Sequence, residues 1–310
     1  MLSRPRSSSD ISERMIDLVV GATGVLGGEI AGELAQRGRR VRALVRSNAR
    51  PERVAQLRAA GVELVYGDLK QPQTLEAACA GVSTVISTAS STNSRVQGDS
   101  IETVDGSGQL ALVEAARQAA IEQFVFVSFP ASPLEFPLQS AKRAVESSLR
   151  ESGLGYTVLQ PAPFFEIWFS EVLGFDWRRR NARLFGGGNA KISFVSYHDV
   201  VRVVVGVLGN PAAMGRTLAF GGPARVSQRD VLGIFEELTN ARFNVESIDA
   251  GLLATQLEQP GDSLARSFAA LMLLGGARDE YALASDALAG VVDLELTSAR
   301  AFVEQLVAAP

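Results

Sequence analysis

The residues Ile16-Asp17-Leu18-Val19-Val20 lead without a break into Gly21-Ala22-Thr23-Gly24-Val25-Leu26-Gly27. A short β-branched run that ends on glycines spaced three apart predicts a buried strand, a tight turn and a helix packed close to that strand. Leu26, Ile30 and Leu34 recur on one helical face, and Gly38 stands where a helix is closed by a left-handed residue. Further apolar runs at Val41-Val45, Glu63-Tyr66, Thr84-Ser87, Phe124-Val127 and Tyr156-Leu159 alternate with amphipathic stretches. That rhythm builds a parallel sheet covered on both faces.

Each glycine of the turn has its own physical role. Gly21 permits the turn, Gly24 leaves backbone N–H groups open to an approaching anion, and Gly27 brings helix and strand together. Thr23, Val25 and Leu26 complete a loop whose N–H groups and helix dipole suit a pyrophosphate. The second strand ends Leu44-Val45-Arg46-Ser47, with arginine where an NAD enzyme carries an acid for the ribose 2'-hydroxyl. A guanidinium binds a 2'-phosphate through charge-assisted bonds that a carboxylate would oppose. NADP(H) is therefore favoured over NAD(H). Asp68 and Leu69 after the third strand are placed for adenine, and Thr88 and Ala89 after the fourth for the nicotinamide side. The expected fold class is α/β, a Rossmann-type doubly wound parallel sheet with a smaller, mainly helical substrate lobe at the C-terminal side.

Residues 1–14 read as a disordered arm without the apolar segment of a signal peptide. The NADP-binding domain is expected over 15–160, with 191–208 returning to the sheet through a strand near Ile192-Val195 and a helix begun by Asp199. The substrate or cap lobe takes 161–190 and 209–310. A formal charge of -4 and a pI near 5.3 provide no field for nucleic acid. No apolar run approaches the roughly 18 to 20 residues that cross a bilayer. One cysteine, Cys79, and one histidine, His198, predict no disulfide and no metal site, hence a reducing cytoplasm as the default. Cys79 reads as buried and inert, and His198 as a structural or surface residue.

With these residues in place, the chain resembles the atypical short-chain dehydrogenase/reductases, in particular the NmrA-like and isoflavone-reductase-like branch. The likeness rests on GATGVLG at 21–27, VRALVR at 41–46, GDL at 67–69, the stretch from Lys142 through SGLGYTVLQPAPFFE, FVSYHDVV at 194–201 and RTLAFGGPARVSQRDV at 216–231. It implies NAD(P) binding, with Pro161 among the cofactor contacts. Its members divide between reductases and proteins that bind the cofactor only to sense or regulate.

The wider superfamily pairs Tyr with Lys at i and i+4 so that the lysine lowers the phenol pKa. Here that pair is Leu138 and Lys142, and none of the four tyrosines lies between Ser128 and Arg150. The resemblance implies that Lys142 contacts ribose and serves as acid or base, and that Ser128 orients substrate. The alternatives are a solvated helix lysine and a serine that satisfies a turn. Phe129, Phe164, Phe165 and Trp168 are candidates for an apolar pocket wall, or they pack the lobe. Arg178-Arg179-Arg180 reads as a solvated run or, alternatively, as an attractor of an acidic substrate or partner.

The expected activity is an NADPH-dependent reductase of a small, largely apolar, aromatic carbonyl or conjugated substrate. Its rival is a non-catalytic NADP(H)-binding regulator, redox sensor or assembly factor with a protein partner. The expected state is a monomer or homodimer.

Overall fold

The computed structural model describes residues 15–94, 96–278, 283 and 286–309; the expected N-terminal arm lies outside them. The first strand, β1 (Ile16–Val20), is followed by α1 (Val25–Gln36), β2 (Arg40–Val45), α2 (Pro51–Ala59) and β3 (Glu63–Tyr66). Then come α3 (Leu75–Cys79), β4 (Thr84–Ser87), a π-helical segment (Ile101–Gly108) that runs into α4 (Gln109–Gln118), β5 (Gln123–Val127), α5 (Pro137–Glu151) and β6 (Gly155–Pro161). Every residue of β1, β4 and β5 is buried. Central strands of a doubly covered sheet read as continuous apolar runs for this reason.

One seven-stranded sheet has the order β3-β2-β1-β4-β5-β6-β8, where β8 is Arg216–Phe220. The pairs β2–β3, β1–β2, β1–β4 and β4–β5 are parallel. Strand order reverses between β1 and β4, and ligands of open α/β sheets bind at such a switch, beyond the carboxyl ends of the strands. Leu26, Ile30 and Leu34 on α1 are all buried, and Gly38 adopts φ +76°. Asp17 lies fully buried in β1, with a bidentate partner in Arg39 at 2.5 and 2.8 Å. Burial of a carboxylate in a central strand requires such a pairing.

The chain divides into two compact units. One comprises the residues up to Val127 with Ala141–Val158 and Val204–Arg216; the other comprises Ser128–Ser140, Leu159–Val203 and Thr217–Pro310. The second contains α6 (Phe165–Trp168), α8 (Gln228–Thr239), α9 (Ala250–Glu258), α10 (Ser263–Ala277) and α11 (Ala299–Ala308). It also holds a parallel ribbon of β7 (Asn181–Phe185) and β9 (Asn244–Ile248). The remaining helix, α7, spans Tyr197–Val207.

Two expectations are corrected. Residues 192–195 form no ladder: Val195 bridges Phe164 and Ile192 bridges Val226. Their backbone groups are shared between two segments, 163–165 and 222–226, with Ser193 O accepting from Gly222, Val195 N donating to Pro163 O and Ile192 N to Val226 O. The strand that joins the sheet from this part of the chain is β8. Nor does Asp199 begin the following helix, since α7 starts at Tyr197 and the Ser196 hydroxyl accepts from His198 N at 3.2 Å. Asp199 is fully buried and accepts from the N–H and hydroxyl of Thr297 at 2.7 and 3.0 Å, fastening a distant segment.

Candidate functional site

The carboxyl ends of β1 and β4 meet at the glycine turn. Thr88 N donates to Val20 O at 2.9 Å, which sets the turn after β4 against the turn after β1. Gly21 has φ +94°, and a Cβ there would stand 2.7 Å from Thr88 Oγ1 and 2.8 Å from Ala89 N. A Cβ at Gly27 would meet Gly21 O at 2.3 Å. Both positions therefore demand glycine. Helix α1 starts from Gly24 with no side-chain cap and no acidic residue in its first turn. Its leading N–H groups and the positive end of its dipole are thus left to an anion or to water. This cradle fits the pyrophosphate of a dinucleotide. Thr23 is half-buried at its mouth, Val25 is exposed and Leu26 is buried.

Three ionic residues converge at the outer end of the site. Arg46, after β2, places Nη1 2.6 Å from Asp99 Oδ2, and Lys70, after β3, places Nζ 2.5 Å from Asp99 Oδ1. The Ser94 hydroxyl donates to the same carboxylate at 2.5 Å. Burial alone would raise the Asp99 carboxyl, but hydrogen bonds from Lys70, Ser94 and Arg46 outweigh it and hold it below the usual carboxylate range. Asp68 accepts from Lys70 N at 2.9 Å and shapes that turn, while Leu69 packs into the core.

Behind the turn after β4, buried Gln109 accepts from Ser87 Oγ at 2.9 Å and donates to Ala89 O at 2.9 Å. Asp105, one helical turn earlier and also fully buried, accepts from Ser91 N at 2.8 Å and Ser91 Oγ at 2.6 Å. Its other oxygen lies 3.7 Å from Lys142 Nζ. The Lys142 ammonium is buried, stands 4.7 Å over the Phe126 ring and lies 3.4 Å from Val127 O. Burial pulls its pKa below the ordinary lysine value, against the opposing charges of Asp105 and Glu146. Lys142 is thus no solvated helix lysine.

Asp99, Asp105, Gln109 and Lys70 were not among the residues singled out from sequence. A signal existed for two of them: Asp105 and Gln109 are spaced i, i+4, on one helical face; the π-helical segment that carries Asp105 is a feature that concentrates at functional sites.

The other candidate residues belong to the second unit. Ser128 is buried, and its N–H donates to Leu159 O at 2.7 Å. Pro161 ends β6. Phe165 stacks on Phe302 at 4.8 Å, and Trp168 meets Phe194 and Phe185 edge-on at 5.7 and 5.9 Å. Both rings are core. Phe164 and Phe129 are only partly buried, against Tyr197 at 4.6 Å and Phe136 at 5.8 Å. Among the described residues no group of His, Cys, Asp and Glu could hold a metal ion, and no helix is long and apolar enough to cross a membrane.

The fold and this cradle define a class, and the chain belongs to the NmrA-like family, whose model matches residues 14–296. Among curated relatives, it is 39% identical to the photosystem II assembly factor Ycf39 of Cyanophora paradoxa over 238 residues, 76% of this chain and 72% of that protein. It is 27% identical to the NAD(P)H azoreductase of Xenophilus azovorans over 281 residues, 89% of this chain and 90% of that one. Its fold matches the NADPH-dependent quinone oxidoreductase of Escherichia coli complexed with NADPH, with TM-score 0.75, 20% identity, and 94% and 100% of the two chains covered. The triphenylmethane reductase of Citrobacter sp. superimposes with TM-score 0.73 at 21% identity, over 94% and 99% of the chains.

Proposed function

We propose that this protein is an NADPH-dependent reductase of small, largely apolar, aromatic carbonyl or conjugated substrates. The observation that carries the reading is the buried Lys142 ammonium, held beside Asp105 behind the turn after β4. A desolvated lysine with a pKa below the ordinary value gives up its proton more readily than a solvated one, which suits proton transfer, and mere solvation of a helix does not call for one.

The glycine turn and the start of α1 hold the pyrophosphate; Arg46 takes the 2'-phosphate; Asp68 lies toward adenine, and Thr88 and Ala89 toward nicotinamide. When bound, the cofactor supplies hydride. Lys142 contacts ribose and supplies the proton, directly or through a water, and Ser128, adjacent in sequence to Val127, orients the electrophile. Phe164 and Phe129 are the candidate rings with area left for an apolar substrate. The azo, quinone and triphenylmethane chemistry named for the relatives supports a flat, conjugated acceptor.

The test is NADPH oxidation with quinones, enones, aromatic ketones and azo dyes, on the wild type and Lys142→Met. Turnover with one class, lost at least about 100-fold in the variant while NADPH affinity shifts only a few-fold, is expected. Equal turnover by the variant would overturn the role of Lys142.

A second reading has its own observation. The relatives at 31% and 39% identity are assembly factors, and Leu138 stands where a catalytic tyrosine would. In that reading the protein binds NADP(H) without turnover, and occupancy changes its affinity for a protein partner. Tight NADPH binding with no oxidation across the panel would favour it.

A further inference from the structure

Asp99 presents a carboxylate to two cations that no other element of the site neutralises as closely. Its side chain is only 2% exposed, with Arg46 at 2.6 Å and Lys70 at 2.5 Å on different oxygens. The cations come from the ends of neighbouring strands, β2 and β3, whereas the carboxylate is delivered by the loop after β4. That loop is built to hold it. Ser94 N donates to Ser91 O at 2.8 Å, Val96 N to Ser94 Oγ at 3.2 Å, and Asp99 N to Val96 O at 3.1 Å. Immediately beyond, Ser100 and Thr103 form a reciprocal capping box, and the Thr103 hydroxyl donates to Gly98 O at 2.9 Å. An anion is thus placed between the two positive groups that flank the ribose end of the site.

We infer that Asp99 is a specificity-determining residue, an internal anion that competes with the cofactor's 2'-phosphate for Arg46 and Lys70. The inference rests on the proposed role of Arg46 and extends it in two ways. It adds Lys70 as a second phosphate ligand, and it assigns a counterweight that sets how strongly the site prefers the phosphorylated cofactor. A phosphate dianion brought to the same two cations meets like-charge repulsion from Asp99 and competes with it for their N–H donors. NADH has only a hydroxyl there and leaves the pairs with Asp99 intact. Preference between the cofactors is a difference of affinities, and the repulsive element works against the phosphorylated one alone.

The experiment is titration of NADPH, NADH and 2'-AMP against the wild type, Asp99→Asn and the double variant Arg46→Ala/Asp99→Asn. Asparagine keeps the shape and removes the charge. Asp99→Asn should bind NADPH and 2'-AMP roughly tenfold more tightly, with NADH changed less than about twofold, and the double variant should lose the gain. Retained NADH binding also shows that the variants are folded. Unchanged or weaker NADPH binding by Asp99→Asn, with NADH binding intact, would overturn the competition alone and leave Asp99 as a support for Arg46. Failure of the wild type and Asp99→Asn alike to bind either dinucleotide would overturn both the competition and the proposed function beneath it.

Discussion

Lys142 Nζ lies 3.7 Å from Asp105 Oδ1, and the two side chains are 6% and 0% exposed. The pair joins α5 to the π-helical segment behind the turn after β4, and Ser91 holds the other Asp105 oxygen through both its N–H and its hydroxyl. A buried ammonium is tolerated where such a counter-charge stands.

Removal of that counter-charge should be costly. Asp105→Asn leaves the Lys142 ammonium buried beside a neutral amide, and loss of one partner from a buried pair costs about 3–5 kcal/mol. Urea denaturation of the wild type, Asp105→Asn, Lys142→Met and the double variant checks this, and the cycle should show a favourable coupling. A cost below about 1 kcal/mol for Asp105→Asn would mean that the pair contributes little.

The depressed pKa of Lys142 fixes the sign of a pH effect. Between its lowered folded value and the ordinary 10.5, the unfolded chain binds a proton at this residue that the folded chain does not. Stability conferred by this group therefore rises with pH across that window. The difference in unfolding free energy between the wild type and Lys142→Met, followed from neutral to alkaline pH, should move in favour of the wild type. A flat difference would show that Lys142 has an ordinary pKa.

Two glycines on the same helix should respond oppositely to alanine. At Gly27 the added Cβ would meet Gly21 O at 2.3 Å, Gly21 C at 2.7 Å and Thr88 Oγ1 at 2.7 Å, and the backbone atoms cannot move aside cheaply. Gly27→Ala should lower the melting temperature and abolish dinucleotide binding together. At Gly32 nothing lies within 4 Å, so Gly32→Ala should stabilise by about 0.5–1 kcal/mol through helix propensity. Differential scanning calorimetry distinguishes the two.

Cys79 ends α3 fully buried, and burial pushes its thiol up to about 11 against the lowering influence of Arg42. Thiolate is the reactive form. Ellman's reagent at pH 8 should titrate no thiol in the native protein within minutes and one after denaturation; prompt native labelling would show that α3 opens readily.

Much of the fold was legible because its signals are local. The runs around Val19, Val41, Val65, Ile86, Val125 and Val158 each mark a strand to within two residues, because β-branched and aromatic residues gather there in short runs bounded by turn residues. The strand-turn-helix at Gly21 was legible for the same reason. The segment at Ile192-Val195 was as apolar, yet its backbone partners are split between residues 163–165 and 222–226 and no ladder forms. Asp199 had the residue type of a helix cap, but Thr297, 98 positions away, claims its carboxylate. Phe165 and Trp168 looked equally suited to a pocket or to a core; their neighbours Phe194, Phe185 and Phe302 place them in a core.

The sequence by itself determined the order of strands from β1 to β6, the glycine cradle, the cation at Arg46 and the absence of tyrosine four residues before Lys142. These depend on residue type and spacing within one βαβ unit or one helical turn, where the chain supplies its own geometry. Tertiary structure alone decided the electrostatics. Arg46 meets Asp99 across 53 positions, and Lys142 meets Asp105 because β4 and β5 are neighbours in the sheet. Charge pairing depends on distance and burial in space, and no spacing along the chain encodes either.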